Sequence, residues 1–224
     1  MNERENKRSD FIRDIIGCLI SPRSSLKSIM EKPSLKKATV LILVIAIVAA
    51  WASFNYREKL PLQLPVIPGQ GTPVGSGQFT QVIVIMGALM ALIGIFGTWL
   101  ISSVLIHGIS RPLGGKGAFK SMLTLAGYAS VPLLLQHVLR LADSFMVSQE
   151  ALQLTATLQI STDPLLNSIA GAVIDVFTIF RLWSIVLLIV AVRENYKIST
   201  VKSMVAVVLS YILIIFFSVF LPLK

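Results

Sequence analysis

Long apolar stretches alternate with short polar and charged segments along this chain of 224 residues. Five of the stretches are long enough to cross the roughly 30 Å of bilayer hydrocarbon, which takes about 20 helical residues. An open sheet cannot satisfy its backbone in lipid, so the stretches predict helices. The expected helices are 38–56, 79–107, 121–141, 165–192 and 202–222.

The composition supports a membrane protein. Hydrophobic residues make up 54% of the chain and charged residues only 14%, and the mean hydropathy is +0.79. An average soluble domain has about 25% charged residues, so this chain has too few to cover the surface of one. We therefore expect an all-α integral membrane protein, with five transmembrane helices in a single domain over residues 38–224.

Residues 1–37 form a separate charged segment before the first apolar stretch, too long for a cleavable signal peptide. Apolar residues recur in it at helical spacing, which predicts an amphipathic cytoplasmic helix. Pro22 should end or break this helix, and Pro33 should do the same to a second, short one. Two interpretations stay open. The helix lies on the inner leaflet, or it packs on the ends of the spanning helices. Its apolar positions are Phe11, Ile12, Ile15, Ile16, Leu19 and Ile20.

Basic residues are concentrated in alternate loops. Fifteen of the 20 lysines and arginines lie in three segments, 1–37, 108–120 and 193–202. The positive-inside rule then places the N-terminus in the cytoplasm and the C-terminus outside. The net charge of +9 flanks apolar stretches, so anionic lipid headgroups are the expected partner rather than nucleic acid. A protein partner or a homo-oligomer is left open.

The turn "RPLGGKGAFK", residues 111–120, is rich in glycine and lysine. It fails the phosphate-loop pattern because Ser110 stands where the first glycine is needed, and Gly117 follows Lys116 where serine or threonine is needed. A tight cytoplasmic turn at headgroup level is the better interpretation. The candidate lipid or partner contacts are Arg111, Gly114, Gly115, Lys116 and Lys120 in this turn, with Phe11, Ile15 and Ile16 in the N-terminal segment.

The third apolar stretch contains residues that shape a helix. Gly127 and Ser130 should let a neighbouring helix approach closely, and Pro132 should kink the helix near its middle. A similar row of small residues predicts close packing of the second stretch against another helix, either between chains or, as the better interpretation, within the chain. Its members are Gly87, Ala91, Gly94 and Thr98.

Two charged residues, Asp175 and Arg181, interrupt the fourth apolar stretch. A charge at the centre of a bilayer costs about 2.5–3.5 kcal/mol on insertion scales, so such residues usually have a role. One interpretation is a polar clasp in the bundle, with Arg181 reaching the inner headgroups. The other is a path for a lipid headgroup, a proton or a small solute. The candidate intramembrane polar site is Asp175, Arg181, His137 and Arg140, with His107 as a further partner for Asp175.

Other chemistry is not indicated. The histidines His107 and His137 and the single cysteine, Cys18, have no metal-ligand spacing, and no nucleophile motif has a matched base and acid. We expect that the protein has no cofactor and is not an enzyme.

The outer segment 57–78 should be irregular. Segment 142–164 alternates like a strand, although helix is favoured because a lone strand lacks a partner.

The stretch "GGKGAFKSMLTLAGYASVPLLL" resembles the hallmark of the Yip family, the Ypt/Rab-interacting membrane proteins, in its short prokaryotic type. The segments "LISPRSSLKSIMEKPSLKKATVLILV" and "RLWSIVLLIVAVRENYKISTVKSMVAVVL" resemble its entry and its last two helices. The resemblance implies a five-helix membrane domain with a cytoplasmic N-terminus, here in a prokaryotic cell membrane. The long acidic and aromatic extension of many Rab-linked members is lacking, which argues against a Rab partner.

Two functional hypotheses follow. The first is a non-enzymatic multi-pass protein that organises the membrane or recruits partners at its inner face. The alternative is a small transporter or lipid-translocating protein that uses the polar site at Asp175 and Arg181.

Overall fold

The protein is helical throughout the residues described by the computed structural model, which are 3–59, 76–152 and 178–220. Side chains are described over 10–59, 81–152 and 178–217. No strand occurs in these ranges. The helices are α1 (Glu3–Ile20), α2 (Pro22–Glu31), α3 (Leu35–Lys59), α4 (Ser76–Ser110), α5 (Phe119–Ala129), α6 (Val131–Met146), α7 (Ile179–Tyr196) and α8 (Thr200–Phe220).

Four helical stretches among these residues are long and apolar enough to cross a membrane. They are Leu35–Lys59, Gln81–Ser110, Phe119–Met146 and Thr200–Phe217. Helix α7 is not among them, because its 18 described residues contain three charged ones, Arg181, Arg193 and Glu194. The expected fourth span begins before it, in residues 153–177. Those residues lie outside the described ranges, as do Asp175, most of segment 142–164, and residues 60–75 of the expected irregular loop.

The third span is interrupted between α5 and α6, at Ser130. Pro132 has no backbone N–H and cannot continue the hydrogen-bond ladder. Instead, the N–H of Ser130 donates to the carbonyl of Gly127 at 3.2 Å, and that of Leu133 donates to Ser130 at 2.9 Å. Both bonds span three residues, as in a 3₁₀ turn. The expected break in the middle of this span is confirmed.

Helix α3 is central and packs on α4, α5 and α6. The middle of this helix is apolar on all sides. The side towards the other helices is rich in alanine and closely packed, and a Cβ added at Gly127 of α5 would lie 2.9 Å from the Cβ of Ala38. The expected close approach at Gly127 is therefore confirmed. The buried face holds Ala38, Leu41, Ile45, Ala49 and Ala52, and the exposed face holds Val40, Leu43, Val44, Ile47 and Trp51.

Helices α1 and α2 pack on one end of the bundle, and Pro22 and Pro33 separate them from each other and from α3. Cys18, Leu26 and Ile29 are buried in the contact. Two ion pairs fix the position. Lys37 Nζ lies 3.3 Å from Asp14 Oδ2, and Arg23 Nε lies 3.3 Å from Glu194 Oε1. The expectation that this segment packs on helix ends thus describes the observed contacts.

Within the chain, the small residues on α4 do not make the expected close helix contact at Gly94. A Cβ added there would meet no heavy atom within 4 Å. Ala91, Gly94 and Thr98 instead line a cavity inside the bundle. Small side chains leave this space open because no neighbouring helix moves in to fill it.

Candidate functional site

Two turns meet at the end of the bundle that carries α1 and α2. We call residues 111–118 and 195–202 the paired turns. The backbone N–H of Lys116 donates to the carbonyl of Tyr196 at 3.2 Å. Nδ2 of Asn195 donates to the carbonyl of Ala118 at 3.2 Å, and Nζ of Lys202 donates to that of Leu113 at 2.9 Å. These bonds make the two turns one rigid surface.

Glycine is required in the first turn for two different reasons. Gly114 has a φ of 93°, a backbone conformation that residues other than glycine rarely adopt. Gly115 and Gly117 are buried at a close contact with the second turn. A Cβ on Gly115 would lie 2.9 Å from the Cβ of Tyr196, and one on Gly117 would lie 2.6 Å from the carbonyl oxygen of Asn195.

Three consecutive backbone amides of this turn, those of Gly114, Gly115 and Lys116, already donate to backbone carbonyls. Gly114 N–H donates to the Arg111 carbonyl at 3.0 Å, and Gly115 N–H donates to the Ser110 carbonyl at 2.9 Å. A phosphate-binding loop needs amides that are free to face an anion. The structure therefore agrees with the rejection of a phosphate loop, and the glycines serve the packing of the two turns.

The cationic side chains predicted as contacts project from this surface. Arg111, Lys116 and Lys120 are all exposed, as is Gly114, whereas Gly115 is buried. No ion pair involves these three cations within the described part of the chain. We call these three exposed residues the turn cations.

The N-terminal helix divides its predicted contact residues between two faces. Phe11 and Ile15 pack against the bundle, and the ring of Phe11 meets Tyr128 edge-on at 6.3 Å. Ile16 is 49% exposed and lies between Ile12 (49%) and Ile20 (75%). We call these three residues the isoleucine row. Ile12 and Ile20 belong to the apolar positions of the predicted helix but were not among the predicted contacts, although their four-residue spacing from Ile16 places them on the same side.

Cys18 lies on the packed side of α1 and is fully buried. Burial, with a smaller contribution from Asp14, raises the pKa of its thiol to about 12. The thiol is therefore neutral at physiological pH and behaves as a small apolar side chain.

A cavity of about 420 Å³ lies inside the bundle, away from the paired turns. Three of the four residues predicted as an intramembrane polar site, His137, Arg140 and Arg181, line it together. Asp175 lies outside the described residues. Arg181 is 15 positions from Tyr196 on α7, about 22 Å along a helix. That its side chain reaches the inner headgroups stays a prediction.

The walls of the cavity are held in place by hydrogen bonds between helices. Trp99 Nε1 donates to the carbonyl of Leu123 at 3.0 Å, and Ser184 Oγ donates to that of Ala129 at 2.8 Å. The carbonyl of Ala129 is available because the helix is interrupted at Ser130. The cavity is thus bounded by a fixed frame on α4, α5 and α7.

A group of hydrogen bonds joins α3 to α6 at the end of the bundle beyond the cavity. Nζ of Lys59 donates to the carbonyls of Ser144 at 2.8 Å and Val147 at 2.9 Å, at the end of α6. The hydroxyl of Tyr56 bonds to the carboxylate of Asp143, and Asn55 Nδ2 donates to Ser144 Oγ at 3.1 Å. These contacts tie α3 to α6.

The two histidines lie apart. His107 Nδ1 is 2.6 Å from the Tyr196 hydroxyl beside the paired turns, whereas His137 lines the cavity. Among the described residues, no group of three histidine, cysteine or acidic side chains could hold a metal ion.

Comparisons with known proteins give a consistent result. The family model described as the Yip1 domain matches residues 16–221. An uncharacterized protein of Methanocaldococcus jannaschii is 27% identical over 123 residues, which cover 54% of this chain and 82% of that protein. The membrane protein YknW of Bacillus subtilis is 24% identical over 212 residues, which cover 92% of this chain and 88% of that protein. No solved structure gives a significant match.

Proposed function

The chain belongs to the Yip1 domain family, and we propose that it is a non-enzymatic membrane protein that organises the bilayer or recruits partners at its inner face. The proposal includes a fifth span over 165–192, a cytoplasmic N-terminus and an outer C-terminus in a prokaryotic cell membrane. The distribution of lysine and arginine supports this orientation. The two relatives come from prokaryotes, and one of them is described as a membrane protein.

The observation that carries the proposal is the isoleucine row. Ile12, Ile16 and Ile20 are exposed along one side of α1, while Cys18 on another side is buried against the bundle. A helix with one apolar side free and the other docked fits the boundary between headgroups and acyl chains. We propose that α1 is amphipathic in this sense and that the isoleucine row enters the inner leaflet.

The turn cations provide a second contact between this end of the protein and the membrane surface. Each lysine or arginine near an anionic membrane surface contributes about 1 kcal/mol of attraction. Arg111 and Lys116 are exposed on the paired turns, and Lys120 is exposed in the first turn of α5. Because hydrogen bonds already hold the backbone of these turns, the backbone loses less entropy when the cations bind headgroups or an acidic partner segment.

Photocrosslinking tests this function in cells. A photoreactive amino acid replaces Ile16 in one protein and the 85% exposed Met146, at the opposite end, in a control. We expect crosslinks from position 16 to inner-leaflet lipid or to a defined protein. They should weaken when Arg111, Lys116 and Lys120 all become glutamine. Equal crosslinking from both positions, or no effect of the triple variant, would contradict the proposal.

A second candidate is a small transporter or lipid-translocating protein that uses Asp175 and Arg181. It is favoured by a specific observation, since Arg181, His137 and Arg140 line one cavity between the helices. Charged side chains inside a membrane usually face the bundle interior or a solute path.

A flux assay in proteoliposomes with labelled phospholipids and an internal pH probe tests this candidate. Wild type is compared with Asp175→Asn and Arg181→Gln, each checked for folding by gel filtration in detergent. Flux that is present in wild type and lost in the folded variants would support transport. Flux unchanged by both substitutions would exclude a pathway through these residues.

A further inference from the structure

Helices α3 and α4 pack against each other, but their apolar parts differ in length. The uncharged part of α3 lies between Lys37 and Arg57, which are about 30 Å apart along the helix. The apolar span of α4, Gln81–Ser110, has 30 residues without a lysine, arginine or acidic residue, about 45 Å of helix. The hydrocarbon core of a bilayer is about 30 Å thick, so α3 matches it and α4 exceeds it.

We infer that the protein holds the bilayer thinner beside α3 than beside α4. The partner is the phospholipid of the surrounding membrane. Its headgroups approach the bilayer centre along α3, and its acyl chains cover more of α4. The inference rests on the proposed function, because it states how the protein organises the bilayer.

At the end of the bundle with the paired turns, α3 begins further inside than the other spans. Asn195 of the paired turns bonds to the carbonyl of Ala118, at the start of α5. Gly127, where α5 meets Ala38 of α3, lies about 14 Å further along α5. Lys36 precedes Ala38 in α3 and is exposed. The charged edge of α3 therefore lies well inside the level of the paired turns.

Helix α1 carries further charges at the level of this edge. The ring of Phe11 meets Tyr128, in the last turn of α5. Lys37 pairs with Asp14 at 3.3 Å, so both charges are fixed beside the start of α3, and the neighbouring Arg13 is exposed. Charges are unfavourable in hydrocarbon. Headgroups and water must therefore reach this level beside α1 and α3.

Helix α4 exposes apolar side chains nearer to the paired turns than this level. Nε1 of Trp99 donates to the carbonyl of Leu123 at 3.0 Å, and the ring of His107 meets that of Phe119. Val104 lies between these two contacts, beside the first turns of α5, and is 56% exposed. Hydrocarbon must therefore extend further towards the paired turns beside α4 than it does beside α3.

The same difference recurs at the other end of α3. The side chain of Arg57 lies against α4 at Gly87. Val82 lies about 8 Å beyond this contact along α4 and is 56% exposed, and Ile85 between them is 52% exposed. The apolar part of α4 thus extends past that of α3 at both ends. A tilt of the whole bundle shifts both edges in one direction, so it does not remove this difference.

Four single-cysteine variants test the inference in vesicles of dioleoylphosphatidylcholine and dioleoylphosphatidylglycerol. In a Cys18→Ser background, Lys36→Cys and Glu58→Cys mark α3, and Val82→Cys and Val104→Cys mark α4. All four positions are exposed, and each pair has the same spacing, about 33 Å of helix. A membrane-impermeant maleimide is present on both sides. We expect both α3 thiols to react at least about tenfold faster than both α4 thiols, because the reactive thiolate does not form in hydrocarbon.

Labelling after unfolding is the control for intrinsic reactivity. In urea and sodium dodecyl sulfate the four thiols should react at similar rates, since no bilayer covers any of them. Gel filtration in detergent checks that each variant is folded before it enters the vesicles. Because all four side chains are exposed, none of the substitutions disturbs the packed interior.

Any other pattern of labelling would overturn the inference. One reactive thiol in each pair would show a tilted bundle in a flat bilayer. Four reactive thiols would show a thin bilayer on all sides, and four unreactive ones a bilayer that covers both helices equally. The result does not depend on which end faces the cytoplasm. Crosslinking from Ile16 that persists beside such a pattern would leave the recruiting role intact without a change in thickness.

Discussion

The phenolic oxygen of Tyr196 lies 2.6 Å from Nδ1 of His107, and this hydrogen bond ties the last turn of α4 to the last turn of α7. The two rings are also in contact, with centroids 5.7 Å apart. Tyr196 is 1% exposed, and its carbonyl accepts the amide of Lys116. One residue therefore joins α4, α7 and the glycine turn.

Tyr196→Phe should lower the free energy of unfolding by about 1 kcal/mol, because it removes the hydrogen bond and keeps the ring. Tyr196→Ala should cost more, about 3 kcal/mol, since the buried ring is lost as well. Denaturation in mixed micelles measures both. In a double-mutant cycle with His107→Phe, a coupling energy near zero would show that the contact contributes nothing to stability.

Gly117→Ala should destabilise the protein by about 1–3 kcal/mol, since the new Cβ would be forced against backbone and side chain of Asn195. Gly108→Ala is the matched control. It lies within α4 and its added Cβ meets nothing within 4 Å, so it should be neutral or stabilise by up to about 1 kcal/mol. Thermal unfolding in detergent measures the pair, and equal melting temperatures would contradict the packing of the paired turns.

Cys18 should resist alkylation by iodoacetamide at pH 8 in the native protein and react after denaturation. Burial raises the pKa of its thiol from 9.0 to about 12, so almost no thiolate forms in the folded state. The unfolded thiol loses its proton first. Ionisation of Cys18 therefore leaves the free energy of unfolding unchanged below pH 9.0 and lowers it as the pH rises from 9.0 towards 12. Rapid native labelling at pH 8 would show that α1 is not docked.

Lys59→Met should destabilise the contact between α3 and α6 by about 1.5–3 kcal/mol, because the ammonium group donates to two carbonyls at the end of α6. Methionine keeps the length of the side chain and removes the donors. The neighbouring Glu58 is exposed, so Glu58→Gln should change stability by less than about 0.5 kcal/mol. Equal denaturation midpoints for the two variants would show that the hydrogen bonds of Lys59 do not stabilise the contact between α3 and α6.

The sequence by itself determined the helical class, the positions of most helices and several of their interruptions. These properties are local. Twenty apolar residues in a row predict a helix wherever they lie in the membrane, and Pro22, Pro33 and Pro132 mark breaks because proline lacks the N–H that a helix needs. The rejection of a phosphate loop at Lys116 was also a local matter, since it depended on spacing alone.

Only the tertiary structure decided which residues meet. Hydropathy cannot show which side of α3 or α4 faces the protein, because lipid and the bundle interior are both apolar. Gly94 was therefore assigned to a tight helix contact and instead borders a cavity. His107 and Tyr196 are 89 positions apart, and the contact depends on how α4 and α7 pack, which no periodicity encodes. The gathering of His137, Arg140 and Arg181 around one cavity has the same origin.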